Sequence, residues 1–352
     1  MPPDVSMATV PPLLEVTDLR VAFHTERGIL QAVDGVSFRV EAEEIVGVVG
    51  ESGSGKSVCL MAVLGLISGP YTHIEGSVRL MGRELVGLPN RELRKIRGRD
   101  MAVIFQDPMT AMTPVYTVGQ QIVEQIRVHQ PLSRKAAKAR AIDLLDAVGI
   151  GAPAKAADRY PHELSGGMRQ RAMIAMALSC NPRLLLADEP TTALDVTVQA
   201  QILDLILRLR SEFKSAVILI THDMGVIAEA ADQVMVMYAG RVVERGSKNQ
   251  LFANPLHPYT WGLLASIPPL DGERVHRLPS IGGLPPSLLD LPAGCAFSPR
   301  CRDVSARCQG ERPVLDRHGD HARACFLPLE SVAAQRRAGL AASLQPAEAF
   351  SE

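Results

Sequence analysis

The chain has 352 residues, a formal net charge of -1 and 47% hydrophobic residues, which is enough for two or three domains around a sizeable core. Nothing in that near-neutral balance asks for nucleic acid or an anionic membrane surface as a partner. The longest apolar stretches, such as "VMVMYAG", fall well short of the roughly 20 residues that span a bilayer. The opening "MPPDVSMATVPP" lacks the basic and then apolar run of a signal peptide, so a cytosolic chain with reduced thiols is expected.

Residues 1–12 read as a loose tail. From Leu13 to Gly50, short runs of alternating apolar and polar residues with turn residues between them predict β-strands. "EIVGVVG" is a continuous apolar run, as expected of a strand buried on both faces. "KSVCLMAVLGLI" has helical character. From about Leu85 to Leu178 the pattern is mostly helical, with Ala141, Ile142, Leu145 and Val148 on one face of one helix. "PRLLLADEP" and "SAVILITHD" predict two more buried strands, with the helix "TVQAQILDLILRLRSEF" between them. Strands alternating with helices predict a parallel α/β sheet. After Tyr259 the prolines at 268, 269, 279, 285, 286 and 292 break up the chain, and the last segment from 331 reads as a helix or a disordered tail. Cys59 and Cys180 fall in apolar helical stretches and read as small buried hydrophobes.

Gly50 to Ser57, "GESGSGKS", fits G-x-x-x-x-G-K-[ST] at every position and sits between a buried strand and an apolar helix. At an ordinary glycine usage of about 7%, chance gives this pattern in roughly one chain of this length in a hundred. Gly50, Gly53 and Gly55 allow the backbone to wrap so that its N–H groups point at phosphate oxygens. Glu51, Ser52 and Ser54 complete the loop, and the helix that follows adds its positive end. Lys56 is placed to reach the β- and γ-phosphates, and the Ser57 hydroxyl to ligate Mg²⁺. "RLLLADEP" ends a buried strand on Asp188 and Glu189, at the end where α/β folds place their ligands. Asp188 can hold Mg²⁺ through water, and Glu189 can polarise an attacking water as general base. ATP and Mg²⁺ are the expected ligands.

"LSGGMRQR", Leu164 to Arg171, resembles the signature sequence of ABC transporters. Companion motifs match in the family's order. Gln106 of "VIFQDP" stands at the Q-loop glutamine, a second Mg²⁺ contact. Asp195 of "TTALD" stands at the D-loop, and His222 of "LITHD" at the switch histidine. The resemblance implies an α/β P-loop nucleotide-binding domain over residues 13–258, with a RecA-like core, an antiparallel β subdomain and a helical subdomain at about 85–178. It also implies a head-to-tail pair in which Ser165, Gly166 and Gly167 of one subunit face the phosphate loop of the other. The residues agree, because a helix opening on "SGG" frees N–H groups for an anion. Phe23 lies roughly where the family stacks an aromatic ring on adenine; a core strand residue is the other reading.

"AVIFQDPMTAMTPVYTVGQQI", "VMYAGRVVERG" and "NPLHPYTWGLL" look like the dipeptide/oligopeptide (and nickel) uptake ATP-binding subunits, over about Leu13 to Leu329. That resemblance implies two permease subunits, a second, related ATPase subunit, an extracytoplasmic binding protein acting indirectly, and a place on the cytoplasmic face of the membrane. The cargo stays open between peptides, nickel and other small solutes. A soluble ABC ATPase of nucleic-acid metabolism is the competing class, but the chain has no basic stripe to support it.

Four cysteines follow within residues 259–330, spaced Cys295-x5-Cys301-x6-Cys308-x16-Cys325. Four thiols in a loop-rich stretch with few apolar residues predict a metal centre that ties a weak segment together. Ligand softness alone leaves zinc and iron–sulfur open. The resemblance implies a [4Fe–4S] cluster, with zinc as the alternative.

Overall fold

The computed structural model describes residues 11–191, 196–267 and 281–331. Asp195 and most of the two expected tails lie outside these residues. Two long strands come first, β1 (Leu14–Thr25) and β2 (Gly28–Val40), with exposed polar residues set between buried apolar ones. β3 (Ile45–Val49) is buried at every position. The glycine-rich loop then leads into α1 (Lys56–Val63), followed by β4 (Thr72–Leu80), β5 (Arg83–Glu84) and α2 (Asn90–Ile96). β6 (Met101–Ile104) falls inside the stretch expected to be mostly helical. Its four apolar residues are too few to display either period, so the pattern around it masked it.

Next come α3 (Pro108–Ala111), α4 (Val118–His129), α5 (Arg134–Ala147), α6 (Pro153–Ala157) and α7 (Gly166–Leu178). Thr117 closes a capping box on α4, and the Ser133 and Ser165 hydroxyls accept from backbone N–H groups at the starts of α5 and α7. Ala141, Leu144, Leu145 and Val148 are buried around the end of α5, while Ile142 is partly exposed. β7 (Leu184–Asp188), α8 (Val196–Phe213), β8 (Ala216–Ile220), α9 (Met224–Ala230), β9 (Gln233–Tyr238), β10 (Arg241–Ser247), α10 (Lys248–Ala253) and α11 (Pro258–Ala265) follow. The C-terminal segment adds a 3-10 turn at Ser298–Arg300, α12 (Ala306–Gly310) and the hairpin β11 (Asp316–His318) and β12 (His321–Arg323).

The described chain forms two compact units. One takes residues 11–21, 34–45, 57–191 and 196–220. In it, β6, β7 and β8 pair in parallel, and β7 and β8 are buried throughout. A separate sheet is ordered β2-β1-β4-β5. Helices α4 to α7 pack on one another.

The other unit takes residues 22–33, 46–56, 221–267 and 281–331. There β3 pairs in parallel with β9, β9 pairs antiparallel with β10, and β10 with β12. α9 packs so closely on β3 that a Cβ at Gly47 would lie 2.6 Å from Ile227 Cδ1. In a chain with 4% aromatic residues, three aromatic rings gather here. Tyr238 and Tyr259 lie 4.7 Å apart, and Phe297 lies 5.3 and 5.4 Å from them. Glu244 on β10 is fully buried and accepts from the N–H groups of Leu256 and His257, and its carboxylate meets His321 Nε2 at 2.8 Å. Those contacts meet the demand that a buried carboxylate be hydrogen-bonded.

Candidate functional site: a phosphate loop, an acidic strand end and a cysteine pocket

The loop from Gly50 to Lys56 leaves β3 and enters α1, and its glycines are required by its shape. Gly50 has φ 154°, and a Cβ there would lie 2.2 Å from the Met237 carbonyl oxygen. Gly55 has φ 96°, and its Cβ would lie 2.4 Å from the Ala32 carbonyl oxygen. Lys56 is buried, and its ammonium donates to the carbonyl oxygens of Gly50 at 2.7 Å and Glu51 at 2.9 Å. The ammonium therefore points back over the loop. The Ser54 hydroxyl is buried with no hydrogen-bond partner. An orphaned hydroxyl in a loop of this shape is what a phosphate ligand would complete.

Glu51 is held at every polar group. Its N–H donates to the Tyr259 hydroxyl at 2.8 Å. Its carbonyl accepts from Lys56 and from the Ser54 N–H. Its carboxylate takes two bonds from Arg300, at 2.5 and 2.8 Å. The Glu51 carboxylate raises the Arg300 guanidinium above its ordinary value. Tyr259 is likewise raised, by burial. Neither Arg300 nor Tyr259 was legible as a site residue in the sequence, since nothing local marks a partner 249 or 208 positions away.

Ser57 Oγ donates to Asp188 Oδ1 at 2.9 Å across 131 positions. Asp188 ends β7 and is 5% exposed. Two hard oxygen donors side by side, one at a helix start, fit Mg²⁺. Glu189 follows at φ 45°, its N–H bonded to the Ile220 carbonyl. Gln106 Nε2 donates to Glu189 Oε2 at 3.3 Å. The loop glutamine and the acid thus meet, although the sequence separates them by 83 positions. Gln170 on α7 is buried and donates to the Pro190 carbonyl, the residue after Glu189. Sequence reasoning missed this link from the signature helix to the acidic turn; Gln170 stands between Arg169 and Arg171, where a glutamine reads as part of a polar face.

Ser165 caps α7, accepting from Met168 N–H at 3.4 Å, and Ser165 and Gly166 are exposed. Gly167 is half-buried, with room for a Cβ 3.4 Å from Val198 Cγ1. His222 is exposed in the turn after β8, and Phe23 is half-buried on β1. Gly53 has φ 78° with open space around it, and Ser52 is exposed.

Cys295, Cys301, Cys308 and Cys325 line a single pocket with His257 and Phe297. Cys295 N–H donates to the Cys308 carbonyl, joining the stretch before the 3-10 turn to α12. Burial pushes the Cys301 thiol up to about 11, and Cys295 and Cys325 also upward. The metal-ion arrangement expected here is not seen. Among the described residues, no three His, Cys, Asp or Glu side chains are placed to hold one ion. The four thiols line the pocket, but as placed they do not form a site for a single zinc ion. Cys59 is buried, with its thiol pushed up to about 12 by burial, and Cys180 is buried too.

The parallel strands, the glycine loop running into a helix and the paired hydroxyl and carboxylate define a P-loop ATPase of the ABC cassette type. The ABC transporter family pattern matches residues 33–192, and the oligopeptide/dipeptide transporter C-terminal region matches residues 243–308. A dimeric ATP-binding cassette solved in a post-hydrolysis state with ADP and Pi superposes with TM-score 0.61 at 27% identity, covering 67% of this chain and 98% of that one. The oligopeptide transport ATP-binding protein OppD of Haemophilus influenzae is 50% identical, covering 91% of this chain and 98% of its own. The OppD of Salmonella typhimurium is 49% identical over 91% and 95%. The Mycobacterium tuberculosis protein of that name is 54% identical over 90% of this chain, and the chain spans about half its length, 52%. The chain belongs to the oligopeptide transport ATP-binding family of ABC transporters. Among the described residues no helix is long and apolar enough to cross a membrane.

Proposed function

We propose that the chain is the ATP-hydrolysing subunit that powers import of peptides through partner permeases. The observation that carries the ATPase reading is the Ser57–Asp188 hydrogen bond, which joins the phosphate-loop helix to the acidic strand end. The peptide cargo rests on relatives near 50% identity named for oligopeptide transport.

The residues divide the work. Backbone N–H groups of the Gly50–Gly55 loop, with the Ser54 hydroxyl, receive the phosphates, and Lys56 turns from its carbonyls to their charge. Mg²⁺ held by Ser57, Gln106 and Asp188 would supply charge neutralisation at the β- and γ-phosphate oxygens. Glu189 polarises water as general base, with Gln106 holding its carboxylate and His222 orienting the γ-phosphate side. Phe23 stacks on the adenine. Ser165, Gly166 and Gly167 of a second subunit close the site over ATP, together with Asp195. Their contacts count for the power stroke only insofar as they form in the closed state alone. The partners are two permeases, a related second ATPase and, indirectly, a binding protein, with the chain peripheral on the cytoplasmic face of the membrane.

The four cysteines remain a candidate ligand set for a [4Fe–4S] cluster, whose four irons accept one thiolate each rather than four thiolates on one ion. Sharing one pocket supports that reading. Its role would be structural. Anaerobic purification with iron and zinc analysis decides it: iron with visible absorbance supports it, while zinc alone overturns it.

Uptake of a labelled oligopeptide tests the function. Cells lacking the gene should lose uptake, recover it with the wild-type chain, and fail to recover it with Glu189→Gln. Intact peptide uptake with nickel uptake lost would move the proposal to the metal-ion branch.

A further inference from the structure

Arg300 belongs to the C-terminal segment, yet its guanidinium ends on the phosphate loop. Its side chain is 3% exposed and grips the Glu51 carboxylate by two charge-assisted bonds. Its remaining donors go to the Gly282 carbonyl at 2.9 Å, the Ile281 carbonyl at 3.4 Å and the Tyr238 hydroxyl at 3.3 Å. Every one of these partners lies in the same compact unit as the loop. Arg300 also sits on the 3-10 turn directly after Phe297, which packs against Tyr238 and Tyr259. Tyr259 holds the Glu51 N–H, so the same aromatic cluster reaches the loop twice.

Two physical effects follow. Glu51 occupies the second position of a loop that must gather anionic phosphate, and an unpaired carboxylate there would repel it. Arg300 cancels that charge. Its bidentate grip also fixes the carbonyl oxygen of Glu51, to which Lys56 is bonded. Lys56 must leave that carbonyl to bind phosphate, so the stiffness of Glu51 sets where Lys56 starts.

We propose that Arg300 is a positioning residue for nucleotide binding. Through Glu51, the C-terminal segment sets the shape and the charge of the phosphate loop. This rests on the reading of Gly50–Ser57 as the phosphate site. Nucleotide affinity is then reciprocally coupled to order in the 3-10 turn and the cysteine pocket beside it.

The test uses the full-length purified chain. Arg300→Ala should raise KM for ATP and weaken ADP binding about tenfold, with kcat changed less than about threefold. Arg300→Lys should recover part of the loss. Adding Glu51→Gln to Arg300→Ala should also recover part of it, since the unpaired charge is gone; a bracing role alone predicts no such rescue. KM within about twofold of wild type for Arg300→Ala would overturn the inference. Hydrogen exchange in the wild-type chain gives a readout that needs no variant: saturating ADP should slow exchange in residues 297–301, and unchanged exchange with ADP bound would overturn it. Lys56→Ala separates the two readings. If it binds nucleotide normally, the phosphate-site reading fails. If it loses binding while Arg300→Ala behaves as wild type, only this inference fails.

Discussion

The phosphate loop and the cysteine segment are both irregular backbone, but they are built by opposite means. Gly50 to Lys56 takes its shape from glycines that neighbouring carbonyls forbid to be anything else, and from a lysine bonded within its own loop. Residues 294–325 take theirs from side chains reaching outward: Arg300 to Glu51, His321 to Glu244 and Phe297 into the tyrosines. A loop shaped by its own backbone can be read from eight letters. A segment shaped by distant partners cannot, because an arginine, a histidine and a phenylalanine in a Pro-rich stretch carry no period and no spacing.

The largest expected difference between the regions is chemical. Glu189→Gln should bind ATP and lose hydrolysis by ~10²-fold or more, because the substitution removes the carboxylate that Gln106 meets and that is proposed to take the proton. Phosphate release checks it, and hydrolysis at wild-type rate would remove Glu189 from its role.

Next is acid sensitivity, expected on the cysteine side. His257 caps α11 and is 1% exposed, and burial lowers its pKa to about 4, with Glu244 raising it and Arg323 lowering it. Between about 4 and the ordinary 6.5 the unfolded chain binds a proton that the folded chain refuses. Stability from this group is therefore complete above 6.5 and falls as the pH drops toward 4, by about 3 kcal/mol in all. His257→Asn keeps an acceptor for the Tyr259 N–H and should flatten that slope in denaturant melts. An equally steep slope in the variant would place the sensitivity elsewhere.

Gly55→Ala tests the backbone side. The positive φ and the 2.4 Å approach to the Ala32 carbonyl should cost about 1–3 kcal/mol of stability and weaken nucleotide binding. Gly53→Ala, with open space around its Cβ, should cost less. Equal losses would mean that the conformation, rather than the neighbouring carbonyl, sets the requirement. The smallest effect is expected for Cys301→Ser, which should speed proteolysis within residues 281–331 several-fold, by roughly 1 kcal/mol of local opening. An unchanged digest would mean that the cysteines do not act together.

Much of the cassette was legible because its information is local. β3, β7 and β8 announced themselves as unbroken apolar runs, and the structure buries every residue in them. β6 was lost because four residues inside a helical stretch show neither period. At the acidic turn, Asp188 and Glu189 could be read from their strand end, whereas Gln170, which ties α7 to Pro190, could not. Between two arginines, a buried glutamine looks like one more residue of a solvated face. The four cysteines could be counted in the sequence, and they do share one pocket, but counting thiols does not give the distances that separate one ion from a larger group.

Glu244 has one more consequence. Its carboxylate lies wholly inside the protein on β10, and the groups that satisfy it come from residues 256, 257 and 321. A chain shortened after residue 258 would keep the carboxylate and lose His321, and with it the strand that pairs along β10. The extension is therefore not a detachable appendage. A minimal cassette cut from this protein should be more stable with Glu244→Gln than with the carboxylate left short of its His321 partner.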